Sequence, residues 1–357
     1  MYGAEILMHE QLLKSPFRTL DPKEANLFFV PIYTSCFRAV RVHVNSRKLK
    51  DRDGTILRGR GTTVEEDMFH FVYSALDYIS QEFPFWKLQH GRDHIFTFTH
   101  DFGACFTYHE EETYKTERLQ MQQALHNSIL LQYLGDLKST CFHSHKDIVI
   151  PPLVTNQQLI ALKGGEKSKP MAERKTGVYF RGKIQFNGGA TRPGYSRGVR
   201  ALLNATYYAN PFFSINEGHS PSYLQELADS KMCLAPPGYA LWTPRLTEAI
   251  VVGCVPLVIG DDIELPFERL VDYRSVAVRV KEERTGILAS VLEGVDDSVL
   301  EMKRANIQNV WKRFVYNEPS QPGDAFDSIM QLLAQKVKGG NRPVGNHEFY
   351  PMKKNKM

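Results

Sequence analysis

The run LADSKMCLAPPGYALWTPRLTEAIVVGCVPLVIGDDIELPF, residues 227–267, decides the fold. Residues 232–235 are apolar and read as a buried strand. A loop rich in proline and glycine follows. The spacing then predicts a short helix that opens at Pro244 and stops at Gly253, with proline in the first turn and glycine just past the last. The β-branched run 254–259 reads as a second strand, closed by the turn Gly260-Asp261-Asp262. Strand, helix and strand in so few residues form a βαβ unit, which implies a parallel sheet and a right-handed crossover. Ligands of such sheets collect at the carboxyl ends of the strands, beside helix N-termini that favour phosphate. That edge carries residues 236–243, Gly238 and Tyr239 among them, with Arg245 and Glu248 just inside the helix.

Arg245 and Glu248 stand three apart and so share one face of the helix start. An arginine there adds a fork of donors to the exposed backbone N–H groups, which suits a diphosphate. A glutamate one turn on can accept from two neighbouring hydroxyls, as a ribose presents. An intrahelical Arg–Glu pair of little consequence is the alternative on spacing alone.

Outward from this unit, the chain divides into regions. Residues 1–155 read as an α/β unit: a helix over 5–13, an apolar strand over 27–33, and a capping box at Thr63-Val64-Glu65-Glu66 that opens a helix over 65–81. Strands follow over 94–99, 129–134 and 148–150. Between the first strand and the capping box, residues 38–62 hold eight Lys/Arg against two acidic residues and read as an exposed basic loop. Residues 156–176 have the composition of a linker. The region 177–297 is a second α/β unit, in which a strand over 177–180 ends in Arg181-Gly182-Lys183 and Tyr195-Ser196-Arg197 opens a helix containing Arg200. These basic residues at a strand end and a helix start form a second candidate anion site, against a reading as surface charge. A strand over 275–280 follows, then closing helices over 298–337 and a basic, disordered tail over 338–357.

At 357 residues, the chain has material for two cores sharing a cleft. Its composition is that of a globular protein, and a net charge of +4 does not mark a dedicated nucleic-acid binder. No apolar run is long enough to span a bilayer, and no signal peptide opens the sequence. The five cysteines show no zinc-ligand spacing, and Cys233 and Cys254, in apolar runs, read as buried free thiols.

The series C-L-x-P-x-G (233–238), P-R-L-x-E-A (244–249) and G-C-V-P-x-x-I (253–259), with DIELPF at 262–267, resembles the nucleotide-sugar motif of the exostosin group, glycosyltransferase family 47. His100-Asp101-Phe102-Gly103, the Y-F-R-G of 179–182 and the Y-x-R-x-x-R of 195–200 resemble the same family. The resemblance covers residues 2–337 and weakens at 38–62 and 164–175. Within the family it is nearest to the plant xylan-backbone β-1,4-xylosyltransferases, through SPFRT at 15–19, IPP at 150–152 and QPGDAF at 321–326. The chain departs from them beside the nucleotide loop, where it reads APPGYALWTPR over 235–245. That departure bears on the donor sugar more than on the fold.

The resemblance implies an α/β fold of GT-B type: two Rossmann-like domains facing across a cleft, with closing C-terminal helices. It implies inverting transfer of a sugar, xylose first, from a UDP-sugar to a cell-wall polysaccharide such as the β-1,4-xylan backbone. Arg245, Glu248, Arg181, Lys183, Gly238, Tyr239 and Arg197 are the expected donor ligands. Asp101 and His100 are the expected bases for the acceptor hydroxyl, and Trp242, Tyr239 and Trp86 are the aromatic platforms. No cofactor is expected, and no catalytic metal, with Asp261-Asp262 read as a turn. The expected compartment is the Golgi lumen, with a type II membrane anchor that would precede residue 1. In an oxidising lumen, Cys105 and Cys141 pair as a disulfide. Other glycosyltransferases of a complex are the expected protein partners. The rival readings are another family 47 transfer (glucuronosyl, galactosyl or arabinosyl), a scaffolding subunit of a xylan synthase complex, and a lectin-like glycan binder.

Overall fold

The computed structural model describes residues 3–47, 63–107, 112–166, 168–185 and 194–338. The first half contributes strands β1 (Phe28–Phe29), β2 (His94–Phe98), β3 (Ile129–Gln132), β4 (Gly135–Asp136) and β5 (Ile148–Val149). Four of them pair in parallel in the order β1-β2-β3-β5, while β4 leaves the sheet. Every residue of β2 and β3 is buried, as expected of a parallel sheet covered on both faces. On one face, helices α3 (Val64–Glu82) and α4 (Lys115–Leu125) enclose a core that includes Phe69, Phe96 and Phe98. On the other face, Ala4 and Met8 of α1 (Ala4–Lys14) join a core that runs without interruption into the second half of the chain.

The capping box of α3 is complete: Thr63 Oγ1 accepts from the Glu66 amide at 3.1 Å, and Glu66 accepts from the Thr63 amide at 2.7 Å. The expected strand over 27–33 shortens to β1, because Pro31 has no N–H to continue the ladder. The basic loop requires a larger correction. Its first part is helix α2 (Thr34–Arg47), and residues 48–62 lie outside the described residues. The α2 cap is supplied from a distance: Glu5 of α1 accepts from the amides of Ser35 (3.3 Å) and Cys36 (3.0 Å). No local signal announces such a start.

The second half holds β6 (Thr176–Arg181), β7 (Phe213–Asn216), β8 (Ser230–Ala235), β9 (Val255–Ile259), β10 (Ile263–Glu264) and β11 (Val278–Val280). Five strands are parallel in the order β11-β9-β8-β6-β7, with α5 (Val199–Tyr207), α6 (Tyr223–Ala228) and α7 (Pro244–Val252) as connections. The predicted strand 275–280 is correct only in its second half, since Asp272 caps a helical turn, Tyr273–Val276, ahead of β11. Helix α7 has the predicted bounds. Gly253 ends it at φ +78°, where a Cβ would lie 2.4 Å from Gly164 O.

Two disulfides are present. Cys105–Cys141 is the expected one. Cys233–Cys254 corrects the free-thiol reading: the two cysteines sit on and beside the paired strands β8 and β9, with Cα atoms 5.8 Å apart. An apolar setting suits a half-cystine as well as a buried thiol, so composition could not separate the two.

The halves are tied to each other. Strand β10 pairs antiparallel with β4, the Leu137 amide donates to Asp262 O at 2.9 Å, and the Phe267 amide donates to Val149 O at 3.0 Å. Residues 156–176 are pinned to the second half, where Arg174 donates to Ser230 O (2.8 Å) and Gly253 O (3.1 Å). Helices α8 (Asp297–Val310) and α9 (Ala325–Lys338) carry the chain back to the first half. There Tyr316 donates to Pro151 O and Lys336 to His145 O. Two Rossmann-like domains, a cleft and closing helices make this the GT-B architecture. The predicted tail beyond Lys338 lies outside the described residues.

Candidate active site

From β6 the chain moves outward to β7, and from β7 it returns past β6 to β8. The connections therefore diverge between β6 and β8, the switch point where open parallel sheets form a crevice. Phe180, Gly182 and residues 236–238 lie at that point.

Arg245, at the second position of α7, reaches across the end of β6. Its Nε donates to Arg181 O at 2.7 Å, and its guanidinium carbon lies 5.2 Å from the centre of the Phe180 ring. The path is open because residue 182 is glycine: at φ +155°, a Cβ would stand 1.9 Å from Arg245 Nη2. Arg200, at the start of α5, stacks on the same ring at 5.1 Å. Only 4% of it is exposed. Nη1 donates to Lys183 O and Tyr195 Oη, both at 2.9 Å, while Nε has no partner among the described residues. Burial, and next the charge of Arg245, bring its pKa down to about 10. Among the described residues, neither arginine has a carboxylate partner. Two adjacent cations, one of them buried, without an acid between them suit an anionic partner.

The backbone adds to this polarity. Residues 194–198 fold onto the loop after β8: the Ser196 amide donates to Gly238 O (3.0 Å), and Ser196 Oγ donates to Pro237 O (2.7 Å). Ser196 and Arg197 hold left-handed φ values of +55° and +50°, a local strain sustained by these contacts. The N-termini of α5 and α7 thus converge on the arginine pair.

The predicted donor residues separate into those that meet at this point and those that do not. Arg245, Gly238 and Tyr239 lie here, and the exposed Lys183 supplies a backbone acceptor to Arg200. Arg181 turns instead to α6, where its Nε pairs with Glu226 at 2.8 Å beside the Tyr179 hydroxyl. Arg197 is exposed and pairs with Glu282 at 3.1 Å. Glu248 accepts from the Tyr223 hydroxyl at 2.5 Å, and burial together with that carboxylate holds the phenol well above its usual range. Tyr223 therefore stays a donor and leaves one Glu248 oxygen for another partner.

Across the cleft, Trp242 Nε1 donates to Asp101 O at 3.1 Å, and the Tyr239 ring lies 5.3 Å from that of Phe102. The His100-Asp101 turn thus faces the loop that carries Tyr239 and Trp242, on the side that its position after β2 predicted. Asp101 is half-buried. His100 is 6% exposed, its Nδ1 accepts from the Phe102 amide at 3.2 Å, and burial, with Arg38 second, brings its pKa down to about 3. So weak a base is poorly matched to proton abstraction near neutrality. Trp86 does not reach the cleft and packs on His94 and Phe96. The Asp261-Asp262 turn pairs Asp262 with Lys138 across the domain boundary at 2.5 Å.

Arg200 is the residue that sequence reasoning undervalued. Its one signal was its place in the Y-x-R-x-x-R spacing, where Arg197 looked equally suitable.

A family model described as "Exostosin GT47 domain" matches residues 1–295. A protein of rice, Oryza sativa subsp. japonica, named "Probable glucuronosyltransferase", is 35% identical over 340 residues, 94% of this chain and 74% of its own length. One of Arabidopsis thaliana, named "Probable beta-1,4-xylosyltransferase IRX10L", is 33% identical over 94% of this chain and 75% of its own. Among solved structures, sucrose-phosphate synthase from Thermosynechococcus elongatus aligns with a TM-score of 0.42 and 12% identity, covering 88% of this chain and 96% of that one.

Proposed function

This chain belongs to the exostosin glycosyltransferases of family 47, and from that premise we propose that it transfers xylose from UDP-xylose to a growing β-1,4-xylan chain with inversion at the anomeric carbon. The observation that carries the reading is the Arg200–Arg245 pair on Phe180, cationic and without an acid. A leaving diphosphate gains charge in the transition state, and pre-aimed donors there stabilise it without reorganisation. In this reading the arginine pair and the N-termini of α5 and α7 hold the diphosphate and supply the positive charge of a metal-free mechanism. The free oxygen of Glu248 accepts from the ribose. Asp101, across the cleft, takes the acceptor proton, because His100 is too weak a base.

Relatives named for glucuronosyl and for xylosyl transfer stand at nearly equal identity, 35% and 33%. Glucuronosyl transfer is therefore the second reading. Two disulfides favour an oxidising compartment, in keeping with a Golgi lumenal enzyme working beside other glycosyltransferases. The test is UDP release from UDP-xylose and UDP-glucuronic acid, each with xylo-oligosaccharides. Acceptor-dependent release from UDP-xylose supports the first reading, release from UDP-glucuronic acid alone replaces it with the second, and release from neither rejects both.

A further inference from the structure

Arg245 and Glu248 stand three apart on α7, the spacing at which arginine and glutamate of one helix ordinarily pair. Such a pair would consume the charges that the site offers to a ligand. Among the described residues it does not form: Arg245 Nε donates to Arg181 O at 2.7 Å, and Glu248 Oε2 accepts from the Tyr223 hydroxyl at 2.5 Å. The three groups nevertheless share one neighbourhood. Burial and then Glu248 hold the Tyr223 phenol well above its usual range, and the charge of Arg245 opposes them.

Both restraints lead to α6, which carries Tyr223. One turn on from Tyr223, Glu226 accepts from the Arg181 side chain at 2.8 Å, the Tyr179 hydroxyl at 2.5 Å and the Ser220 hydroxyl at 2.6 Å. Ser220 fills one Glu226 oxygen, and Tyr179 with Arg181 fills the other, so this carboxylate is a strut between α6 and β6. Tyr223 is its counterpart toward α7, with its ring 6.3 Å from that of Tyr179. Glu248 differs from Glu226 in keeping one oxygen uncommitted among the described residues. A carboxylate left loose one turn from Arg245 would close on the guanidinium, because opposite charges at that range attract more strongly than a charge and a neutral hydroxyl. We propose that Tyr223 is a positioning residue of the donor site. It holds Glu248 apart from Arg245, so that the carboxylate meets the ribose hydroxyls and the guanidinium meets the diphosphate. The inference rests on the reading that UDP binds with its diphosphate on Arg200 and Arg245 and its ribose on Glu248.

Calorimetry on the full chain with UDP and 2′-deoxy-UDP tests it. The wild type is expected to prefer UDP by about 10-fold, the scale of one charge-assisted hydrogen bond. Tyr223→Phe keeps the ring and removes the hydroxyl; it should weaken UDP about 10-fold and shrink the preference to within about 2-fold. In the background of Glu248→Gln, which leaves no charge to turn onto Arg245, the same change should cost less than about 2-fold. A merely structural role would cost the same factor in both backgrounds. Equal costs, or a wild-type preference retained by Tyr223→Phe, overturn the inference and leave the ribose reading intact. If Tyr223→Phe does not fold, Glu248→Asp carries the test, being too short to reach Tyr223 and the ribose together; a wild-type preference in it overturns the inference. A wild type that binds both nucleotides equally overturns the ribose reading itself, and one that binds neither overturns the diphosphate reading as well.

Discussion

Replacing Arg200 by methionine removes a buried charge and keeps most of its stem, which separates a ligand-binding role from a structural one. In the free protein Arg200 is 4% exposed, has no acid partner among the described residues, and has a pKa brought down to about 10 by burial and by Arg245. From its ordinary value of 12.5, that depression corresponds to about 3 kcal/mol against the charged form. Against this stand the charge-assisted hydrogen bonds to Lys183 O and Tyr195 Oη, about 1.5–3 kcal/mol each, and the stacking on Phe180. The balance predicts that Arg200→Met costs the ligand-free protein no more than about 3 kcal/mol. The same change deletes a charge-assisted contact to the diphosphate, about 1.5–3 kcal/mol, so UDP affinity falls by about 10- to 150-fold. Thermal unfolding with and without UDP reads both effects: the variant alone melts close to or modestly below the wild type and loses most of the UDP-induced rise. A variant that is strongly destabilised on its own and still binds UDP like the wild type refutes the argument.

Three further outcomes follow from particular contacts. Asp101→Asn keeps shape and removes the carboxylate, so turnover should drop by at least ~100-fold with UDP affinity nearly unchanged, and a soluble variant with near-normal turnover removes Asp101 from the mechanism. Opening either disulfide, Cys105–Cys141 or Cys233–Cys254, across sequence separations of 36 and 21, should cost about 3–4 kcal/mol, read as a lower melting temperature in reductant; an unchanged melting curve contradicts it. His100 and His143, lowered to about 3 and about 4 by burial first, bind protons in the unfolded chain that they refuse in the folded one. Their contribution is full above about pH 6.5 and is lost as pH falls toward 4, so stability rises with pH through that window, and His100→Gln should flatten the slope in a denaturant titration.

The parts of the fold legible in the sequence are those fixed by neighbours along the chain. Pro244 and Gly253 bound α7, Thr63 and Glu66 cap α3, and the apolar runs of β8 and β9 form a buried parallel pair. What escaped depends on residues brought from afar. Helix α2 is capped by Glu5, about thirty positions earlier, so its sequence looks like a basic loop. Arg181 and Arg197 looked equal to Arg245 until Glu226 and Glu282, 45 and 85 positions away, are seen to hold them. Arg200 gains its role only when residues 194–198 fold onto residues 236–238, a contact that no local spacing encodes. The glycine at 182 was a visible clue, since a strand end without a side chain is where another group passes.

The central claim is that the arginine pair binds the diphosphate of a donor whose sugar is then transferred. The most direct measurement is UDP release by purified wild type and Arg245→Ala, over a panel of UDP-sugars with and without xylo-oligosaccharide, with the product linkage read by NMR. The account predicts release that depends on both substrates, a product longer by one β-linked sugar, and a loss of at least ~10-fold in kcat/KM in the variant. A folded wild type that binds UDP and xylo-oligosaccharide, yet releases no UDP above the acceptor-free rate with any donor, would contradict it.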